Sequence, residues 1–302
     1  MSVVDELPGG ARILILRLRS LGDCVLTTPA IQILKQARPD CSIAVAVEPR
    51  FADVFRGNPH VQTILPPAAG PVKQLAPHLC INFHGGTRSM ALTAFSRARQ
   101  RAGFAHHRGA WIYNLRIPTA QEILGLDRKV HTAEHLASAI FWLGAPGIEI
   151  PRASLYAAPA PAARPYAVIH AMAAHPEKTW PADRFLKVAQ YLREQSGIDS
   201  VFIAAAGEDL SPFSSYSCVA GAPLRDVMSL IAGASLFLGN DSGPAHIAAA
   251  FGLPVLVLFG SSDPAVWAPW KTVSETFTAP DSIANIGTGA VLAGLDRLRV
   301  KA

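Results

Sequence analysis

The chain has 302 residues, half of them hydrophobic and only 16% charged, with a formal net charge of +5. That length suffices for two domains with large buried cores. The diffuse positive charge suits an anionic substrate or an anionic membrane surface, and the lack of a basic run with interleaved aromatics argues against nucleic acid. No uncharged apolar run reaches the roughly 18 residues of a membrane-spanning helix, and the opening MSVVDELPGG has no signal-peptide pattern. Cys24, Cys41, Cys80 and Cys218 are scattered without CxxC or metal-ligand spacing, as expected for reduced thiols in a cytosolic protein.

The first half opens with ARILILRLRSLGDCVLTTPAIQILKQARPDCSIAVAVEP. It predicts a strand over 13–17, a turn over 20–23 and a regular helix from the Thr28-Pro29 pair to 37. A second strand over 43–47 completes a right-handed βαβ unit. Further strands are expected at 62–65 and 79–83, with helices at 88–96 and 132–143. The Pro/Ala-rich YAAPAPAARPY, 156–166, breaks the pattern and reads as a linker, giving domains 1–158 and 159–302. The rhythm then restarts: a strand at 167–170, a helix begun by Pro181, a strand at 201–205 and a helix at 224–233. A last helix over 290–300 is a candidate to pack back on the first domain. Two Rossmann-like α/β domains with a cleft between them follow from this pattern.

LGNDSGPAHIAAAFGLPVLVLFG, 238–260, is the most informative stretch. It reads as strand, tight turn, short helix, strand. Asp241 or Ser242 can cap the helix, Pro244 suits its first position, and Gly252 suits a left-handed stop. The turn thus presents backbone N–H groups at a helix N-terminus on the carboxyl end of a strand, where α/β proteins bind phosphates. Gly243 lets a phosphate approach the backbone, and Ser242 can donate its hydroxyl and its N–H. Asp241 would repel a diphosphate, so it is expected to accept bonds from backbone N–H groups or a sugar hydroxyl. His246 could reach a phosphate or simply fill space.

Other polar residues end strands in the same way. Asp23 follows Gly22 in a strand-to-helix turn, where helix cap and catalytic carboxylate are equally open. Lys178, in HPEKTWPADRF, is a solvated lysine or a cation facing the same crevice as the NDSG turn, and Trp180 beside it could be a helix staple. Glu208 could bind ribose hydroxyls; Asp209 or a plain turn are the alternatives. His131 and Glu134 form an i,i+3 pair or border a cleft. Arg88, Arg97, Arg99 and Arg101 form a cationic stretch. Neither a DxD motif nor a metal-ligand cluster is apparent.

RLRSLGDCVLTTPAIQIL, HTAEHLASAIFWLG, EKTWPADRF and LFLGNDSGPAHIAAAFGLPVLVLFGSSDP, in that order, resemble glycosyltransferase family 9, the heptosyltransferases of lipopolysaccharide core assembly, with the two-domain GT-B fold. The resemblance implies an inverting, metal-independent transfer of a heptose, from ADP-heptose, to a lipopolysaccharide core acceptor. It implies Asp23 as general base and Lys178 as holder of the donor diphosphate, with Glu208, Asp241, Ser242, Gly243 and His246 on the donor side. Ser20, Gly22, His84 and Arg88 fall on the acceptor side. No cofactor is implied beyond the nucleotide-sugar substrate. The acceptor would be an anionic glycolipid, reached from the cytoplasm with peripheral contact at the inner membrane. Three departures stand out. Many members have Ser/Thr where this chain has Ala171, Met172, Ala173 and Ala174; many have Asp in place of Asn82; and many have a Cys-containing loop after Trp270, where this chain runs through KTVSETFTAPDSIANIGTG. A transferase using another nucleotide sugar, a non-catalytic sugar-nucleotide or glycan binder and a nucleotide-binding oxidoreductase are the rivals. The missing GxGxxG after the first strand speaks against the last, and a binder needs no carboxylate at position 23.

Overall fold

The structure is a computed structural model that describes residues 2–173, 176–279 and 281–298. The chain divides into two compact units, Met1–Tyr156 and Ala157–Ala302.

The first unit is a six-stranded parallel sheet: β1 (Arg12–Leu16), β2 (Ser42–Ala46), β3 (Thr63–Leu65), β4 (Leu79–Asn82), β5 (Gln100–Phe104) and β6 (Leu115–Ile117), in the order β3-β2-β1-β4-β5-β6. Its helices are α1 (Leu21–Ala37), α2 (Ala69–Leu75), α3 (Thr87–Phe95), α4 (Ala120–Leu124) and α5 (Thr132–Trp142). The second unit repeats the plan. Strands β7 (Tyr166–His170), β8 (Asp199–Ala204), β9 (Ser217–Ala220), β10 (Leu236–Asn240), β11 (Val255–Phe259) and β12 (Ser274–Thr278) run β12-β11-β10-β7-β8-β9. Its helices are α6 (Ala182–Ser196), α7 (Leu224–Ala232), α8 (Gly243–Phe251), α9 (Pro264–Trp267) and α10 (Thr288–Leu298).

Counted within each unit, both sheets have the order 3-2-1-4-5-6. The chain winds outward one way from the first strand and returns to begin the fourth on its other side. Loops after strands one and four therefore leave in opposite directions and open a crevice at their carboxyl ends. In the first unit that switch point lies between β1 and β4, and in the second between β7 and β10. The strands there are apolar on both faces, RILIL and LCIN, YAVIH and LFLGN, because helices cover both sides.

The first helix begins seven residues before the expected Thr28-Pro29 start. Pro29 lies inside it and cannot donate to the carbonyl of Val25. The Thr28 hydroxyl donates there instead, at 2.8 Å, and accepts the N–H of Ser154 at 2.9 Å. The expected staple is present: Trp180 is fully buried before α6, with its ring edge on Phe185 at 5.0 Å. The last helix buries Val291, Leu295 and Leu298 in the core of its own unit, against α6 and β12. Val300, in its predicted range, lies outside the described residues. Strands β5, β6, β9 and β12 and helices α2 and α4 were not anticipated. The segment after Trp270 supplies β12 and a short turn of helix at Ile283–Asn285. No helix among the described residues is long and apolar enough to cross a membrane.

Thr28→Val removes a donor and an acceptor from a buried position. It is expected to destabilise the protein by about 1–3 kcal/mol, the cost of unsatisfied buried groups, measured by urea unfolding. A loss under about 0.5 kcal/mol would mean that water replaces the hydroxyl.

Candidate functional site

In the first unit, Arg17 leaves the end of β1 buried, and its guanidinium meets the Asp23 carboxylate at 3.2 Å. Asp23 is the third residue of α1. It accepts the Ser20 hydroxyl at 3.0 Å and, more weakly, the Ser20 N–H at 3.5 Å. Ser20 is the N-cap and Gly22 is buried in the first turn. Asp23 is therefore held from two sides, by a cap and by a buried cation.

Beside this pair, β4 ends at a fully buried Asn82. Its Oδ1 accepts the N–H groups of His84 and Gly85 at 3.0 and 3.1 Å, while its Nδ2 donates to Thr93 and Tyr113 at 3.2 and 3.0 Å. An aspartate could not supply those two donors, so an amide fits this position. Gly85 adopts φ +72°, and a Cβ there would lie 2.5 Å from the His107 ring, so the loop closes against His107 only with glycine.

His107 and His135 gather around Phe104 with the exposed His106, and the His84 charge is felt at His107. His135 stacks on Phe104 at 3.9 Å and His106 meets the His107 ring at 4.8 Å. Burial first, then the charges of His106 and Arg17, pushes His107 and His135 down to about 4. Burial and the Arg17 charge also lower His84. The charged forms of these three imidazoles are thus disfavoured by burial and by the Arg17 charge.

The structure brings Ser20, Gly22, Asp23 and His84 to one switch point. Arg88 lies elsewhere, over the ends of β2 and β3, donating to the Pro67 carbonyl at 2.9 Å with Glu48 at 3.9 Å. Arg101 belongs to β5 and ties down the carbonyls of Ile112 and Ala98. His131 and Glu134 form a capping box at the start of α5, with Glu134 also paired to Arg128 at 2.6 Å.

In the second unit, three loops meet at the ends of β7, β10 and β11. Asn240 ends β10 fully buried; its Nδ2 donates to the Ala171 carbonyl at 2.8 Å and its Oδ1 accepts the Trp180 N–H at 3.2 Å. That amide clamps both ends of the loop carrying Lys178. Ala171 is buried and Met172 and Ala173 are half-buried; Ala174 and His175, in the same loop, lie outside the described residues. Lys178 Nζ donates to Ser262 Oγ at 2.9 Å.

Helix α8 starts at Gly243, one residue before the expected Pro244, with Ser242 as N-cap. The N–H groups of Ser242 and Gly243 have no acceptor among the described residues. Ser242 Oγ lies 3.0 Å from His170 Nδ1, and burial pushes His170 down to about 4. The Asp241 carboxyl shows no bond from a backbone N–H among the described residues; the Ser262 hydroxyl and the Lys178 charge are the groups that favour its ionised form. Burial raises its pKa against both. His246 is buried, its ring 6.2 Å from Trp267. Gly252 ends α8 at φ +79° as anticipated. Glu208 accepts the Ala205 N–H at 2.7 Å, closing its own turn, and Asp209 caps Ser211 at 2.8 Å. Arg17, His107, His135, His170 and Ser262 were missed. Only the FGSSDP run after β11, another strand–cap–proline signal, pointed toward Ser262. Among the described residues no group of three or more His, Cys, Asp or Glu is arranged to hold a metal.

Residues 72–284 match the family model "Glycosyltransferase family 9 (heptosyltransferase)". Lipopolysaccharide heptosyltransferase 3 of Escherichia coli strain K12 is 35% identical over 118 residues, which span 35% of this chain and about a third (33%) of that relative's length. Among solved structures, a glycosyl transferase of family 9 from Veillonella parvula covers 95% of this chain and 97% of its own, with TM-score 0.82 and 19% identity. The Escherichia coli heptosyltransferase WaaC with ADP covers 95% and 100%, with TM-score 0.79 and 20% identity. The fold shared with them is the expected GT-B.

Folded His107, His135 and His170 bind protons less readily than the unfolded chain, whose histidines titrate near 6.5. Their stabilisation is therefore complete above about pH 6.5 and lost progressively as pH falls toward about 4. The urea midpoint is expected to drop between pH 7.5 and pH 5, and His135→Phe to reduce that drop. An unchanged midpoint in the wild type would show that these rings are not held neutral.

Proposed function

The chain belongs to glycosyltransferase family 9, a family of sugar-transfer enzymes, and on that premise we propose that it transfers a heptose from ADP-heptose to a lipopolysaccharide core acceptor with inversion. The observation that carries this reading is the second unit's switch point. There Lys178, with two of its three N–H donors unused among the described residues, stands with the open N-terminus of α8 on neighbouring loops. A helix N-terminus and an ammonium together suit the two phosphates of a nucleoside diphosphate. Glu208 is assigned to the ribose, and Asp241 and His246 to the walls of this donor site.

In the first unit, Asp23 is the proposed general base. The acceptor hydroxyl oxygen bonds to the anomeric carbon as the bond from that carbon to the donor phosphate breaks; the hydroxyl proton passes to Asp23 and the nucleoside diphosphate leaves. Arg17 fixes the carboxylate, and Ser20, Gly22 and His84 border the acceptor. Arg88 reaches only acceptor groups that extend toward β2 and β3. The leaving group's charge is met by Lys178 and the α8 N–H groups, so no metal is required. The anionic glycolipid acceptor places the enzyme on the cytoplasmic side, at the inner-membrane surface. One observation favours a second reading, a non-catalytic binder: the Ser20 and Arg17 contacts are also those of a helix cap.

Asp23→Asn decides between them. It is expected to keep the fold and ADP affinity and to lose at least about a hundredfold in turnover, the low end for removing a general base. Turnover within a few-fold of wild type would make Asp23 a cap. Separately, wild-type turnover is expected to persist in excess EDTA; a loss restored by magnesium, manganese or iron would overturn the metal-free mechanism.

A further inference from the structure

Ser262 lies between a cation and an anion that make no direct ion pair with each other among the described residues. It accepts from Lys178 Nζ at 2.9 Å, and its hydroxyl and the Lys178 charge both favour the ionised form of the Asp241 carboxyl. A hydroxyl has one proton to donate. An ammonium has donors only, so the Ser262 oxygen must accept from Lys178 and its own proton is left for the carboxylate. The three residues come from three loops, after β11, β7 and β10, which are neighbouring strands in the sheet. Their close approach is built into the backbone. A Cβ on Gly260 would meet the Glu177 carbonyl oxygen at 2.9 Å and Lys178 Cα at 3.3 Å, so only glycine lets the β11 loop reach the lysine loop undisturbed.

We propose that Ser262 is the positioning residue of the donor site: it holds the Lys178 ammonium off Asp241 and presents its two remaining N–H donors to the distal phosphate of a nucleoside diphosphate. This rests on Lys178 as the diphosphate's counter-charge. Without the hydroxyl, the Asp241 carboxylate, which already feels the Lys178 charge, competes for the ammonium. An ammonium paired with a half-buried carboxylate is withheld from the ligand, because the lysine must leave one anion to meet another. The distal phosphate loses most, and a nucleoside monophosphate, which lacks it, loses little. A purely structural serine would weaken both ligands alike.

The measurement is calorimetric titration of the full chain with ADP and with AMP, read as the ratio of the two affinities. Lys178→Ala is expected to lower that ratio about ten- to a hundredfold, the range for a charge-assisted bond. Ser262→Ala is expected to lower it about three- to tenfold, as for one modest hydrogen bond. Ser262→Thr, which keeps the hydroxyl, should retain the wild-type ratio. Gly260→Ala, which displaces the lysine loop, should lower it as Ser262→Ala does. If Lys178→Ala lowers the ratio and Ser262→Ala leaves it unchanged, or if Ser262→Ala weakens ADP and AMP equally, the serine positions nothing and the inference is overturned. If Lys178→Ala itself leaves the ratio unchanged, the donor reading fails at the lysine, and the serine's role falls with it.

Discussion

Each sheet closes its fourth strand with a fully buried asparagine, Asn82 in one and Asn240 in the other, and both candidate half-sites hang on those amides. A parallel strand at a switch point delivers its last residue into a crevice whose two flanking loops diverge, and nothing in the ladder fixes those loops. A buried amide can do so because it carries donors and acceptors at once. Asn82 shapes the His84–Gly85 turn with its oxygen and anchors to Thr93 and Tyr113 with its nitrogen. Asn240 joins the two ends of the loop that carries Lys178. Left unpaired, either amide would cost a few kcal/mol.

Much of this plan was legible in the sequence, for reasons that differ by element. The β10–α8–β11 stretch was readable almost to the residue because punctuation marks each boundary: a capping serine, a proline in the first turn and a glycine at the left-handed stop. The start of α1 was misread because the same punctuation, Thr28-Pro29, occurs inside a helix. There the threonine hydroxyl makes the bond that the proline cannot, a substitution that only the fold reveals. Strands β5 (QRAGF), β9 (SCVA) and β12 (SETFT) were missed because they are short and carry little apolar periodicity. Their pairing comes from the neighbouring strand more than from their own pattern.

The candidate site divides in the same way. Residues announced by local turn chemistry, Asp23, Lys178, Ser242 and Gly243, stand at the switch points expected of them. Their partners were invisible. His170 lies 72 residues from Ser242 and Ser262 lies 84 from Lys178; a contact at that distance leaves no mark in local spacing. Nor did spacing expose His107 and His135, which arrive from the β5 loop and α5. Their common feature is burial beside Arg17, and burial at a strand end is a property of the sheet order.

Those partners change what the site's own residues can offer. The sequence alone suggests that Ser242 presents its hydroxyl to a phosphate, yet that oxygen is shared with a buried, neutral His170. A helix N-terminus, by contrast, offers donors that side-chain competition cannot remove. Pro244 has no N–H, but Ser242 and Gly243 do, and both point away from the helix's own carbonyls. On the proposed reading, an anion at this turn meets chiefly backbone donors, with Lys178, held by Ser262, as the side-chain cation beside them. In that proposal, specificity among phosphates falls to the lysine and to the serine that holds it, while affinity for any phosphate falls to the turn. The asparagine clamp serves both, since it fixes the backbone donors directly and the lysine through its loop.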